Sequence, residues 1–370
     1  MKQSAMNEPN EYRTTSEKTV RQPNFELLRI LCMLMVVSLH YLSKGGLLFS
    51  FQEDFTANTW IAYLLESFSV VAVNSFVLLT GFFMVNSVLR ARKVLGLVAQ
   101  ILFYTLGISC ILLFVGAVPD YGFYQFVNDI LPVQMEHYWF MTAYVLLLLF
   151  TPILNQALKS MSEKNLREVL FGLLLFFSIP KTILPVSVTI DQKGYDVIWF
   201  LIVYLIGAYI RLYGIKLFKD RKRSVTLYFG ATILIFGRTL LYGFVFRMTG
   251  RFEDQVQEAY QYNHFLNLFA AIAFFYIFYY LKVKNKTIQK MILSLSPYVL
   301  GVYLLHEQLQ VRYLWTSWFG VEKMAESPLF IPHYIGTLLL LFFSGVIVEW
   351  FRQMVFNFVG KTPFLRSLQR

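Results

Sequence analysis

The sequence predicts an all-α polytopic integral membrane protein with about ten transmembrane helices, and three observations carry the prediction. Of its 370 residues, 57% are hydrophobic and only 15% charged, and the mean hydropathy is +0.54; a soluble chain of this length would expose far more charge. Several apolar runs reach the ~20 residues that a helix needs to cross a hydrocarbon core. Lysine and arginine gather on alternate connections between those runs, which is the signature of a cytoplasmic face.

In order, residues 1–23 are polar and read as a cytoplasmic tail, with no small-residue cleavage site after the first apolar run. The membrane domain covers residues 24–351, with spans at 24–43, 60–87, 94–118, 138–157, 167–187, 196–213, 224–246, 264–281, 291–315 and 332–351. The ninth span is irregular, since Pro297 stands near its start and His306, Glu307 and Arg312 lie within it. Residues 352–370 read as a basic cytoplasmic tail. With the N-terminus inside, the inner segments hold Arg90, Arg92 and Lys93, then Lys159, Lys164 and Arg167, then the cluster within 211–223 and Lys282, Lys284, Lys286 and Lys290. The outer loops collect acids, among them Glu53, Asp54, Asp120, Asp129, Asp191 and Glu258. The bias predicts an N-in, C-in topology and accounts for the net charge of +11 by headgroup-facing residues rather than nucleic-acid binding. Cys32 and Cys110 fall inside helices and read as small hydrophobes.

The first span carries the chemistry. Arg29 and His40 are eleven positions apart. At ~100° per residue both side chains lie within ~20° of one face, ~16 Å apart along the axis, and Glu26 shares that face. Ionisable groups at membrane depth are costly and mark function by default. Two plainer roles stand beside that one: Arg29 snorkelling to headgroups and His40 bonding a backbone carbonyl at the interface.

Further polar groups sit in the other spans. Glu66 in the second span lies at a depth that could bring it to His40, orienting the imidazole as a carboxylate orients a base, or it could pair with Arg238 or Arg312. Asn74 lies eight residues further on. His306 and Glu307 form a second candidate pair at outer depth. The Arg90, Arg92 and Lys93 cluster, facing the Arg29 end of the first span, suits either the phosphates of an anionic ligand or ordinary topological charge. His137, Trp139 and many of the tyrosines look like an aromatic belt, while His264 and His333 simply open their spans. No close-spaced His, Cys and carboxylate motif is present, so no metal is expected. Phosphate-loop and dinucleotide fingerprints are absent too.

These segments together resemble the membrane acyltransferase family 3, integral-membrane enzymes that O-acylate cell-surface glycans. Arg29, ten intervening residues and His40 resemble its opening motif. Val73-Asn74-Ser75-Phe76-Val77-Leu78-Leu79-Thr80-Gly81-Phe82-Phe83 resembles a Val-Asp-x-Phe-Phe-x-x-Ser-Gly-Phe segment, with Asn74 where many members have Asp and Thr80 where many have Ser. Arg90-Ala91-Arg92-Lys93 falls at the family's basic cluster. His137-Tyr138-Trp139-Phe140-Met141 resembles a Trp-Phe-Leu span opening, and the stretch from Ser296 to His306 a late Ser-Tyr-Gly-x-Tyr-Leu-x-His run. The likeness runs the length of the chain.

The resemblance implies an acyl-coenzyme A donor, acetyl-coenzyme A above all, and a hydroxyl of a surface glycan or its precursor as acceptor, in a multi-pass protein of a bacterial plasma membrane. Arg29, Arg90, Arg92 and Lys93 would then grip the coenzyme, and His40 would act as general base or as a transient acyl carrier, with Arg29 and Glu66 beside it. Asn74, Trp139, His306 and Glu307 would contact the acceptor. A transporter or flippase for a glycan or an acyl-linked substrate is the rival reading, and it would not need His40 to do chemistry. A glycan polymerase or ligase should carry a larger outer loop.

Overall fold

The computed structural model describes residues 21–48, 56–118, 120–183 and 192–359. Most of the N-terminal tail, the acids Glu53, Asp54 and Asp191, and the end of the C-terminal tail lie outside the described residues. The described residues form helices α1 (Pro23–Lys44), α2 (Ala57–Ser69), α3 (Ala72–Met84), α4 (Ala91–Phe114), α5 (Phe123–Ile130), α6 (Trp139–Ser160), α7 (Glu163–Phe177) and α8 (Ile179–Ile183). They continue with α9 (Val197–Leu212), α10 (Arg221–Thr249), α11 (Glu253–Glu258), α12 (Phe265–Tyr279), α13 (Lys286–Leu295), α14 (Val299–His306), α15 (Leu314–Phe319) and α16 (Phe330–Val359). Among the described residues, seven helical stretches are long and apolar enough to cross a membrane: α1, α2 with α3, α4, α6, α10, α13 with α14, and α16. Helices α9 and α12 are apolar but shorter. The protein is a polytopic, all-helical membrane protein.

Side chains explain where the helices start and break. Asp196 and Asp220 accept hydrogen bonds from the Trp199 and Arg223 amides and so cap α9 and α10. The second span bends between Ser69 and Ala72, where the Tyr228 hydroxyl donates to the Phe68 carbonyl at 2.9 Å and takes the place of the Ala72 amide in the ladder. Pro152 frees the Leu148 carbonyl within α6, and the Thr151 hydroxyl bonds it at 2.7 Å. Pro297 separates α13 from α14 through a 3₁₀ turn.

Besides the bend in the second span and the break at Ser178 between α7 and α8, two expected spans come out differently. The stretch 291–315 is not one helix: α14 ends at His306, a turn follows, and α15 begins at Leu314. The break is stabilised by side chains that take up the freed carbonyls, with Trp315 Nε1 donating to His306 O at 3.2 Å and Arg312 Nη2 to Glu307 O at 3.0 Å. The last helix, expected to end at 351, continues to Val359.

Helix α12 is buried all round and forms the centre of the bundle, against α3 and α10. Helices α3 and α9 approach closely through Gly81 and Gly207, whose Cα atoms face the partner's backbone. Helix α1 runs between α3, α12, α14 and α16, so its long face looks into the middle of the protein.

Candidate active site

Glu26, Arg29, Met33, Val36 and His40 recur at three- and four-residue steps along α1, and all five line one cavity of about 580 Å³. The fourteen helical steps from Glu26 to His40 span ~21 Å, so the cavity follows α1 for much of a bilayer's thickness. At the Glu26 end the lining includes Arg21 and Lys93. At the His40 end it includes Trp139, Tyr262 and Tyr303. Apolar side chains, Val73, Phe76 and Leu300 among them, line the passage between.

Arg29 Nη1 donates to Glu26 Oε1 at 2.6 Å, and its guanidinium lies 5.7 Å from the centre of the Phe83 ring. The arginine is thus fixed by a carboxylate of its own helix and keeps a third of its side chain exposed to the cavity.

His40 is met from α14. Its Nδ1 stands 2.8 Å from His306 Nε2 and 3.2 Å from Glu307 Oε1, and the same Glu307 oxygen accepts from Lys44 Nζ. The tautomers follow from the bonds. His306 Nδ1 lies 2.5 Å from the Val302 carbonyl, which can only accept, so Nδ1 carries the proton and Nε2 the lone pair. His40 Nδ1 must then donate, and the lone pair of neutral His40 resides on Nε2. His306 and Glu307 are buried, whereas 16% of the His40 side chain stays accessible, in the cavity. A base with its lone pair at an open cavity, and its other nitrogen held by an imidazole and a carboxylate, is the arrangement that general-base catalysis uses. The three ligand-type atoms of His40, His306 and Glu307 lie within 4.8 Å of one another, a spacing that could hold a metal ion; the positive charge in contact with Glu307 here is the Lys44 ammonium.

Glu66 does not reach His40. It is buried in α2, its Oε2 has no hydrogen-bond partner among the described residues, and Glu307 occupies the orienting position expected for it. Nor does it pair with either arginine: Arg238 Nη2 lies 3.6 Å from Glu258, and Arg312 donates to the carbonyls of Glu307 and His137. Asn74 is fully buried and serves as a strut, accepting from Trp199 Nε1 at 2.9 Å and donating to the Tyr262 carbonyl at 2.8 Å. Trp139 lines the cavity with Tyr262, its ring 5.8 Å from that of Tyr262 and nearly parallel to it, and 4.5 Å from Tyr195. Lys93 lines the cationic end, while Arg90 and Arg92 stand exposed beside it and do not line the cavity.

Sequence reasoning missed three participants. Lys44 continues the α1 stripe four residues beyond His40, a signal that was present. Arg21 lies just ahead of the helix. Tyr303, one turn before His306, lines the cavity with a buried hydroxyl that has no hydrogen-bond partner among the described residues.

A membrane-spanning helical bundle whose internal cavity joins a cationic mouth to an oriented histidine has the makings of a group-transfer enzyme. The model of acyltransferase family 3, described as an acyltransferase domain, matches residues 22–351. The chain belongs to that family and is a membrane acyltransferase. No curated protein and no solved structure matches it.

Proposed function

We propose that the protein moves a short acyl group, acetyl above all, from acyl-coenzyme A to a hydroxyl of a cell-surface glycan or its precursor, as a multi-pass protein of a bacterial plasma membrane. The observation that carries this reading is the cavity itself, which leads from Arg21, Arg29 and Lys93 to the free ring nitrogen of His40. Guanidinium and ammonium groups suit the phosphates of a coenzyme, and the apolar middle suits an acyl thioester entering the membrane.

His40 Nε2 takes the proton of the acceptor hydroxyl as its oxygen attacks the thioester carbonyl. Glu307, in contact with Lys44, then faces the imidazolium that forms. Tyr303 lines the wall, and its buried hydroxyl, once turned into the cavity, would donate to the developing oxyanion. When the carbon–sulfur bond breaks, the His40 proton passes to the coenzyme sulfur, which leaves as the thiol. Trp139 and Tyr262 offer ring surface to the sugar.

The test uses purified protein in liposomes with labelled acetyl-coenzyme A and a panel of sugar acceptors. Label should appear in an ester product, and His40→Ala should abolish it with the protein still folded. Retained transfer in that variant would sink the assigned role of His40. Movement of substrate with no covalent product from the unaltered protein would favour a transporter.

A further inference from the structure

A second concavity of about 380 Å³ opens at the end of α5, away from the basic mouth, and the mechanism above does not use it. Its size falls within the ~300–1,000 Å³ range of small-molecule sites. Asp120, Tyr124, Gln125 and Asn128 line one side, and Leu309 and Gln310 of the turn after α14 line the other.

The three side-chain amides in this cleft are fixed in one sense. Gln125 Oε1 accepts from the Gly122 amide at 3.1 Å. Because the Leu309 amide donates to His137 Nε2, His137 carries its proton on Nδ1 and donates it to Asn128 Oδ1 at 3.0 Å. Gln310 Oε1 accepts from the amide of Gln308, whose side chain is fully buried. Every amide oxygen is thus spent inside the protein, which leaves the three amines for a ligand. The cleft therefore presents several neutral donors, one exposed carboxylate and an exposed tyrosine ring.

That set matches a polyhydroxyl ligand. Sugar ring and hydroxyl oxygens accept from the amines, sugar hydroxyls donate to Asp120, and a pyranose face covers Tyr124. A phospholipid headgroup fits poorly, because no lysine or arginine lines the cleft and Asp120 would repel a phosphate.

Along the chain the cleft follows directly on the catalytic constellation, although it shares no lining residue with the His40 cavity. Gln310 is three residues from Glu307, so their Cα atoms are at most ~11 Å apart, about the length of two linked sugar units. Building on the acyltransferase reading above, we infer that this cleft binds a neighbouring sugar of the acceptor chain, so that the acceptor is an oligosaccharide rather than a single sugar.

The experiment compares glucose and N-acetylglucosamine with cello- and chito-tetraose as acceptors, and measures binding of the tetrasaccharides separately by titration in detergent. The unaltered protein should show a KM for a tetrasaccharide at least ten-fold below that of its monosaccharide. In Asp120→Asn, Tyr124→Ala and Gln310→Ala that ratio should collapse towards one, and tetrasaccharide binding should weaken ten-fold or more. A ratio near one in the unaltered protein, or a ratio that survives all three substitutions, overturns the inference. Should no sugar be acylated at all, the functional reading falls by itself, and titration still decides the cleft: binding lost in the three variants supports it, and no binding, or binding the variants leave intact, overturns it.

Discussion

His40 and His306 share one hydrogen bond, Nδ1 to Nε2 at 2.8 Å, across 266 residues of chain, and that bond sets which His40 nitrogen can accept a proton. His306→Ala should therefore cost kcat about 10²-fold or more while the acyl-coenzyme A KM moves little, because the base loses its orientation and its preferred tautomer. His306→Gln, whose amide oxygen can accept the same proton, should retain more activity than alanine. Steady-state kinetics on the three proteins decides it, and equal rates would remove His306 from the mechanism.

Lys44 and Glu307, the first half-buried and the second buried, form an ion pair beside that bond. Removing one partner strands the other's charge, at about 3–5 kcal/mol, whereas removing both does not. Lys44→Met and Glu307→Gln should each lower thermal stability in detergent, and the double variant should recover part of the loss. Additive losses would mean that the two groups do not interact in solution.

The likeness of the chain to its family was legible in five short motifs that stand in order along it, and the shared face of the first helix in helical periodicity. The Glu26, Arg29 and His40 stripe could be placed on one face by arithmetic alone, and the expected apolar stretches are mostly helical over their described residues, with breaks at 70–71, at Ser178 and at 307–313. The partner of His40 could not be placed that way. Glu66 and Glu307 were both acids at a suitable depth, and only the packing of α14 against α1 chooses Glu307. Asn74 looked like a binding group because its sequence position cannot show that Trp199 and the Tyr262 carbonyl already use its amide. The break after His306 was hinted at by polar residues within an apolar run, yet its cause, Arg312 and Trp315 folding back on freed carbonyls, is tertiary.

The crossing of α3 and α9 depends on two missing side chains. A methyl group on Gly81 would land on the Tyr204 carbonyl, and one on Gly207 on the Leu78 carbonyl. Gly207→Ala should destabilise by about 1–3 kcal/mol, since neither neighbour is a movable side chain. Gly237→Ala in α10, where nothing lies within 4 Å of the added carbon, is the control and should be neutral or slightly stabilising. Matching melting curves for the two variants would refute the close approach.

His137, in the turn ahead of α6, gives a pH prediction. Burial, and then the nearby Arg312 guanidinium, press its pKa down to about 3, against the pull of its Asn128 contact; Asp129 lies 3.6 Å away. The unfolded chain binds this proton below pH ~6.5 and the folded protein does not, so stability is complete above ~6.5 and declines as pH falls towards 3. Melting temperatures taken from pH 7.5 to 4 should fall, and His137→Gln should fall less steeply. Parallel slopes would show that His137 does not drive the decline.

Tyr303 supplies the sharpest test of the chemistry, because its buried hydroxyl makes no well-formed hydrogen bond among the described residues and has only the Phe140 amide near it. A buried hydroxyl without a partner is unfavourable by about 1–3 kcal/mol, so Tyr303→Phe should leave the melting temperature unchanged or raise it. If the hydroxyl supports the oxyanion of acyl transfer, the same variant should lose about 10²–10³-fold in kcat, the usual cost of one such donor. The acyl-coenzyme A KM should stay near its original value, since the donor acts on the transition state rather than on the bound thioester. A variant both stable and slow places the hydroxyl at the reacting carbonyl. One that is stable and fast leaves Tyr303 as a wall of the cavity, and the oxyanion donor must then be sought elsewhere along it.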